Sequence, residues 1–532
     1  MHRSQALIAG FRPRAPSRCR FLRARPFPAP FAVHLSDDAS PRPPQRDQPE
    51  RPCLTDPTPS RATLVWLRRD LRLDDHPALA AAAASASAFA PGGGAVIPVF
   101  ILDPQTEALG RAHRWRLDAS LGDLSARLAA IGSRLVLRRG AALPVLRALI
   151  AETGAGAVTW SRLYDSAARA RDETVKTALR EDGIDARSYN GALIFEPWEI
   201  RTKTGGIYRV YSPFARAVRA QAIPAPIEAP AALPAPGAWP ASETLGDWAL
   251  GADMDRGGPV IARHARIGEA AATARLSEFL GARAGAYKDT RDRLDRDACS
   301  GLSPHLALGE ISPRRIWAET CLRTGGEQGP EHFLSEVLWR EFAYHLVFNT
   351  PRIETDNWRE EWDAFAWRDD NPDSERWRRG LTGVDLVDAA MREMYVTGIM
   401  HNRARMLVAS YLTKHLMTHW RVGEAWFRDT LVDWDPASNA MGWQWAAGSG
   451  PDASPFFRIF NPDTQAEKFD PDGAYRRHWL KGAGATAFLA AAPRSWGMAA
   501  GDRRPAPVIT LKDGRERALA QYQAMKSDGA AA

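Results

Sequence analysis

Up to about residue 190 the apolar residues come in short runs separated by helical segments; beyond about residue 261 the runs almost vanish and helical spacing alone remains. The early runs are TLVWL (63–67), AVIPVFIL (95–102), RLVL (134–137) and AVTW (157–160). They do not alternate with polar residues, which is how strands buried on both faces read. Segments 114–131 and 165–182 between them have helical spacing. Strands alternating with helices predict βαβ units around a parallel sheet, here over residues 61–195. The later segments 268–283, 331–348, 384–396, 399–419 and 423–431 predict an almost all-helical second domain over 263–515, followed by a tail at 516–532. Residues 196–262, with the stretch AIPAPIEAPAALPAPGAWP, read as a long extended linker.

Residues 1–60 hold twelve of the 39 prolines, ten arginines, no lysine and five acids. Such a segment cannot bury enough apolar surface to offset its ordering entropy, so it is expected to be disordered. Its composition resembles a transit peptide, but a dispensable extension is the favoured reading. It also carries +5 of the formal +7, so a nucleic-acid contact has to be argued from a local basic face and not from the total. No apolar run is long enough to span a bilayer. The four cysteines show no CxxC spacing, which speaks against a structural metal and suits a reducing, cytoplasmic setting.

Tryptophan is the outlier: eleven of the 19 fall between Trp339 and Trp479. In FLSEVLWREF, helical spacing puts Phe333, Glu336, Trp339 and Arg340 on one face, either as a core stripe with a snorkelling arginine or as a site. In IMHNRARM, Asn402, Arg405 and Met406 share a face while His401 and Arg403 are expected to point elsewhere. Asp433 and Asp435 lie two apart before Pro436, as a cap-and-turn pair or as acceptors for a ribose or a flavin ring. No histidine or third acid stands at ligand spacing, so no metal is expected. CSGLSPHL puts small and hydroxyl residues before a helix, where backbone N–H groups can cradle phosphate. Arg458, among aromatics in FFRIFNP, suits a nucleic-acid contact or a core arginine.

Taken in order, WLRRDLRLDDHPAL, CSGLSPHLALGEISP, WREFAYHL, TGIMHNRARM and WQWAAGSGPDASPFFRIFNP resemble the motifs of the photolyase/cryptochrome family, over about residues 62–515. The match is nearest to its class I branch, which repairs cyclobutane pyrimidine dimers.

The resemblance implies a Rossmann-like α/β antenna domain, a linker and an all-helical domain holding one FAD, reduced in the active state. By motif, Tyr287 and the turn Cys299, Ser300, Gly301, Leu302 and Ser303 would meet the phosphates and ribityl chain. Asn402, Arg405, Asp433 and Asp435 would surround the ring system and adenine, with Phe333 and Trp434 also on the cofactor. Asn439 would face the flavin N5. Plant-type cryptochromes carry aspartate there, and a neutral amide adds no negative charge beside a reduced, anionic ring. Trp443, Trp420 and Trp367 would form an electron-hopping chain. The implied reaction is light-driven electron transfer from FADH⁻ to a flipped-out dimer in UV-damaged DNA, splitting the ring. Flipping is general among enzymes, photolyases included, that do chemistry on a base. Glu336 would bind the pyrimidine edge, Trp339 and Trp445 would sandwich the dimer and Met406 would line the hole. Stacking is worth about 1–3 kcal/mol per base. Asn402 also borders the substrate side, and Arg291, Arg340, Arg403 and Arg458 are the candidates for DNA phosphates. A monomer away from membranes is expected.

Three positions depart from the family pattern: Cys299 where threonine is usual, Ala440–Met441 where Asn–Gly is common, and Asp165 where folate-binding members carry glutamate. The antenna is read as methenyltetrahydrofolate, with a deazaflavin or none as alternatives. The rival function is a blue-light-sensing cryptochrome without repair activity.

Overall fold

The computed structural model describes residues 62–88, 94–325, 327–452, 456 and 458–531. The Arg/Pro-rich stretch 1–60 lies outside the described residues.

Five parallel strands form one sheet: β1 (Ala62–Leu67), β2 (Ala95–Leu102), β3 (Val136–Arg139), β4 (Ala157–Ser161) and β5 (Asp185–Tyr189), in the order β3-β2-β1-β4-β5. Side chains alternate across a strand, so β1 feeds two cores. Val65 and Leu67 join Leu121, Leu124 and Leu128 of helix α2 (Arg111–Ala130) on one face. Leu64 and Trp66 join Leu146 and Leu149 of α3 (Ala142–Thr153) and Val175 and Leu179 of α4 (Ser166–Glu181) on the other. Helix α1 (Pro77–Ser87) completes the covering. The expected α/β domain is present. Strand β5 lacked a sequence signal because DARSY is an edge strand with charged, exposed positions and one buried residue, Ala186.

The linker is not extended throughout. Residues Tyr211–Arg219 form α5, which buries Phe214 and Val218 in the helical core, and Leu233, Trp248 and Leu250 pack on the sheet domain. Nine residues are too few for their spacing to stand out in a Pro/Ala-rich stretch.

The second half includes α6 (Gly268–Ala282), α7 (Ser303–Leu308), α8 (Gln328–Asn349), α9 (Asp385–Thr397), α10 (Asn402–Ser410), α11 (Trp420–Thr430), α12 (Pro436–Ala447) and α13 (Leu511–Ala531), with other helices between them. The helix expected over 399–419 is interrupted: α10 passes into a π turn at Tyr411–His415, and Met417 takes φ 58°. The expected boundary at 515 falls inside α13, whose Ala518 is fully buried against the cluster of Trp362, Phe365 and Phe456.

Buried ion pairs join the halves. Arg116 and Glu310, both almost without solvent contact, pair at 2.6 Å, and Arg314 pairs with Asp75 at 2.9 Å. Removing one member would leave a buried charge uncompensated, at about 3–5 kcal/mol. These pairs fix α7, and the turn before it, to the α/β domain.

Candidate functional site

A cavity of about 1370 Å³ opens among helices α6 to α12. That exceeds the roughly 300–1,000 Å³ of ordinary small-ligand pockets, and leaves room for a dinucleotide and part of a second molecule. Every site residue expected from sequence lines it except Trp367, Trp420 and Arg458.

One wall is the turn before α7. Gly301, at φ 66°, reverses the chain in the left-handed region open to glycine. Arg275 from α6 holds the turn from below, donating to the carbonyls of Ser300 (2.7 Å) and Cys299 (3.0 Å). Ser303 Oγ donates to Asp433 at 2.7 Å, and Arg405 Nη2 reaches both Asp433 oxygens at 3.0 and 2.7 Å. Asp435 caps α12 through the Ser438 N–H at 2.8 Å and accepts from Tyr344 Oη at 2.6 Å. It is therefore both a helix cap and a cavity wall. Burial pushes the Cys299 thiol up to about 11, so it stays neutral, 3.5 Å from His401 Nε2. His401 and Arg403, expected to point away, both line the cavity. His401 is the cap of α10, and the helix begins facing inward.

The α8 face is as expected: Phe333, Glu336, Trp339 and Arg340 share the wall. Trp339 is stacked on Tyr211, parallel to within 6° at 3.7 Å between centroids, and lines the cavity. Arg291 pairs with Glu336 and contacts His332 at 3.0 Å. Arg403 pairs with Asp292 at 2.5 Å. Arg340 donates to the Ala192 carbonyl at 2.8 Å and lies over the Tyr344 ring. The three arginines are thus engaged within the chain. Arg458 is exposed and does not line the cavity, while Phe456 of the same segment is buried.

Helix α12 supplies Asn439, Trp443 and Trp445. Asn439 Nδ2 donates to Glu424 Oε1 at 2.9 Å, which orients the amide; burial raises the Glu424 carboxyl. Trp443 is 2% exposed and its Nε1 has no hydrogen-bond partner among the described residues. Trp420, also buried, donates to Asn357 at 2.9 Å. The His419 ring lies 5.5 Å from both Trp420 and the half-buried Trp367.

Sequence reasoning missed Arg275, Tyr211, Glu424 and the pair Tyr475–Glu393, joined at 2.6 Å on the cavity wall, where burial pushes Glu393 up to about 7. None belongs to a local pattern. In the α/β domain, Asp165 pairs with Arg69 and caps α4. No helix among the described residues is long and apolar enough to cross a membrane.

Two family models match: one described as DNA photolyase over residues 63–235, the other as the FAD binding domain of DNA photolyase over residues 333–524. A deoxyribodipyrimidine photo-lyase of Agrobacterium fabrum is 46% identical over 475 residues, covering 87% of this chain and 98% of that protein. Cryptochrome-2 of Arabidopsis thaliana is 36% identical over 458 residues, 82% of this chain and 72% of its own. Among solved structures, a bacterial class III photolyase from Agrobacterium tumefaciens superposes with a TM-score of 0.80 at 44% identity, over 89% of this chain and 100% of that one.

Proposed function

The chain belongs to the photolyase/cryptochrome family, and on that premise we propose that it is a deoxyribodipyrimidine photolyase, a light-dependent DNA repair enzyme acting on cyclobutane pyrimidine dimers. The observation that carries this reading is that one cavity is bordered both by the cofactor motifs and by Glu336, Trp339 and Trp445. The residues fit FAD: the volume suffices, the acceptors Asp433 and Asp435 line the cavity, and the Trp443 Nε1 is left without a partner. Bound and reduced, FAD supplies the photoexcited electron that splits the cyclobutane ring.

The chain's own residues do the rest. The Arg275-braced turn and Tyr287 hold the phosphates. Asp433, fixed by Arg405 and Ser303, and Asp435, fixed by Tyr344, accept hydrogen bonds from the cofactor. Glu424 keeps the Asn439 amide turned so that a neutral group, not a second carboxylate, borders the ring. Glu336 receives the pyrimidine edge, Trp339 and Trp445 take the extruded bases, and Met406 excludes water. Arg291 and Arg403 exchange their carboxylate partners for DNA phosphates, which makes affinity salt-dependent. Trp443, Trp420 and Trp367 carry electrons inward. For the antenna we propose methenyltetrahydrofolate, although Asp165 stands where folate-binding members often carry glutamate. We further propose that the protein works as a cytoplasmic monomer.

The test is one thymine-dimer oligonucleotide incubated with reduced protein in near-ultraviolet light and in the dark. Loss of dimers in the light alone supports repair; equal dimer content in both favours a photoreceptor.

A further inference from the structure

The row of rings that runs from Trp420 through His419 to Trp367 does not end at Trp367. Against Trp367 lies Trp362, which like it does not line the cavity, with 6.3 Å between ring centroids and 29° between planes. Beyond Trp362 lies Tyr522 of α13, at 5.8 Å and 21°. These two spacings resemble the 5.5 Å steps from Trp420 through His419 to Trp367. Phe456 closes the side of the step, 5.1 Å from Trp362 and 5.0 Å from Tyr522.

The environments differ in a way that gives the row a direction. The Trp367 Nε1 is buried without a hydrogen-bond partner among the described residues, so an oxidised Trp367 has no immediate acceptor for its indole proton. Trp362 is 3% exposed. Tyr522 is half-buried, so its ring meets both the stack and the solvent. The Lys526 ammonium lies 4.9 Å over the Tyr522 ring and opposes a positive charge there. Oxidation of Tyr522 must therefore go with loss of its phenolic proton, which water can take. A neutral phenoxyl radical formed that way takes an electron back more slowly than a tryptophan radical cation does, because its return to the phenol needs a proton as well.

We propose that the electron relay of this chain runs on from Trp367 through Trp362 to Tyr522, and that Tyr522 on the C-terminal helix is its last donor. The oxidant is the photoexcited oxidised flavin, which takes one electron through Trp443, Trp420 and Trp367. Trp362 refills Trp367, and Tyr522 refills Trp362. Tyr522 gives up one electron to the tryptophan radical cation and one proton to water; a thiol in solution later returns one electron and one proton to the phenoxyl. The proposal rests on the flavin reading above, and its test separates the two.

Flavin-loaded, oxidised full-length protein is excited by a short flash and followed by time-resolved absorption. In the wild type, the tryptophan radical signal should give way to a phenoxyl signal. Tyr522→Phe keeps the packed ring and loses the hydroxyl: the phenoxyl signal should disappear and the remaining tryptophan radical should recombine sooner. Trp362→Phe should cause the same loss from the other side of the step. Repair by pre-reduced protein should be unchanged in both variants, since neither residue borders the cavity. A phenoxyl of undiminished size in Tyr522→Phe, or a flavin-loaded wild type that shows none, overturns the proposal and leaves the flavin reading standing. A wild type that takes up no flavin overturns both.

Discussion

Gly423 of α11 packs directly beneath the indole of Trp443: a Cβ at position 423 would fall well inside contact distance of Trp443 Cη2 and of the Leu412 side chain. The helix that starts with Trp420 can approach the helix that carries Trp443 only because residue 423 has no side chain.

Gly423→Ala sets two effects against each other. Alanine gains about 1 kcal/mol in a helix interior, while overpacking a filled core costs about 1–3 kcal/mol. Trp443 is walled by Phe427 at 4.9 Å and Trp377 at 6.1 Å and cannot move aside cheaply, so overpacking wins. A net loss of roughly 1 kcal/mol is expected in denaturant unfolding, together with slower photoreduction of the bound flavin.

Trp367→Phe should block photoreduction of oxidised flavin and leave repair by chemically pre-reduced protein nearly intact. Trp367 lies off the cavity, so its loss interrupts the supply of electrons without touching the reacting pair. Steady-state bleaching of the flavin under blue light, compared with dimer loss by pre-reduced protein, separates the two roles.

Tyr211→Ala removes the ring that holds Trp339 parallel at 3.7 Å. An aromatic pair of this kind is worth about 0.5–1.5 kcal/mol, so binding of dimer-containing DNA should weaken by about two- to tenfold while FAD content stays the same. Fluorescence anisotropy with a dimer oligonucleotide measures the first, and the visible spectrum the second. Tyr211→Phe should bind like the wild type.

Stability should depend on pH through Glu393. Burial raises its folded pKa to about 7 from the ordinary 4.5. Between those values the folded protein holds a proton that the unfolded chain has released, so stability falls as pH rises from about 4.5 to 7 and levels off above. Burial raises Glu341 in the same way, also to about 7, and it adds to the same slope. Glu393→Gln should flatten the slope without abolishing it, as thermal unfolding across that pH range would measure.

How much of this was legible in the sequence follows from where each signal is stored. The sheet could be read because β1, β2 and β4 are short unbroken apolar runs; β5 could not, because an edge strand needs no such run. Helix α8 showed its Glu336–Trp339–Arg340 face through spacing alone. The end of α10 did not show, since a π turn and the left-handed Met417 leave no periodic trace. Cavity residues inside contiguous motifs were legible; their supports were not. Tyr211 reaches Trp339 from the linker, Arg275 reaches the Cys299 turn from α6 and Glu424 reaches Asn439 from α11, and only the tertiary fold brings them together. The same holds for Arg291, whose sequence position suggests a phosphate contact and whose observed partner is Glu336.

The most direct measurement is a dark titration of flavin-loaded protein with two oligonucleotides, identical except for one thymine dimer, following the flavin's visible absorption. If the cavity that holds the cofactor also receives the extruded base pair, the dimer-containing strand will bind more tightly and shift the flavin bands, and the undamaged strand will not. Equal affinity for both strands with an unmoved spectrum would contradict a shared cavity.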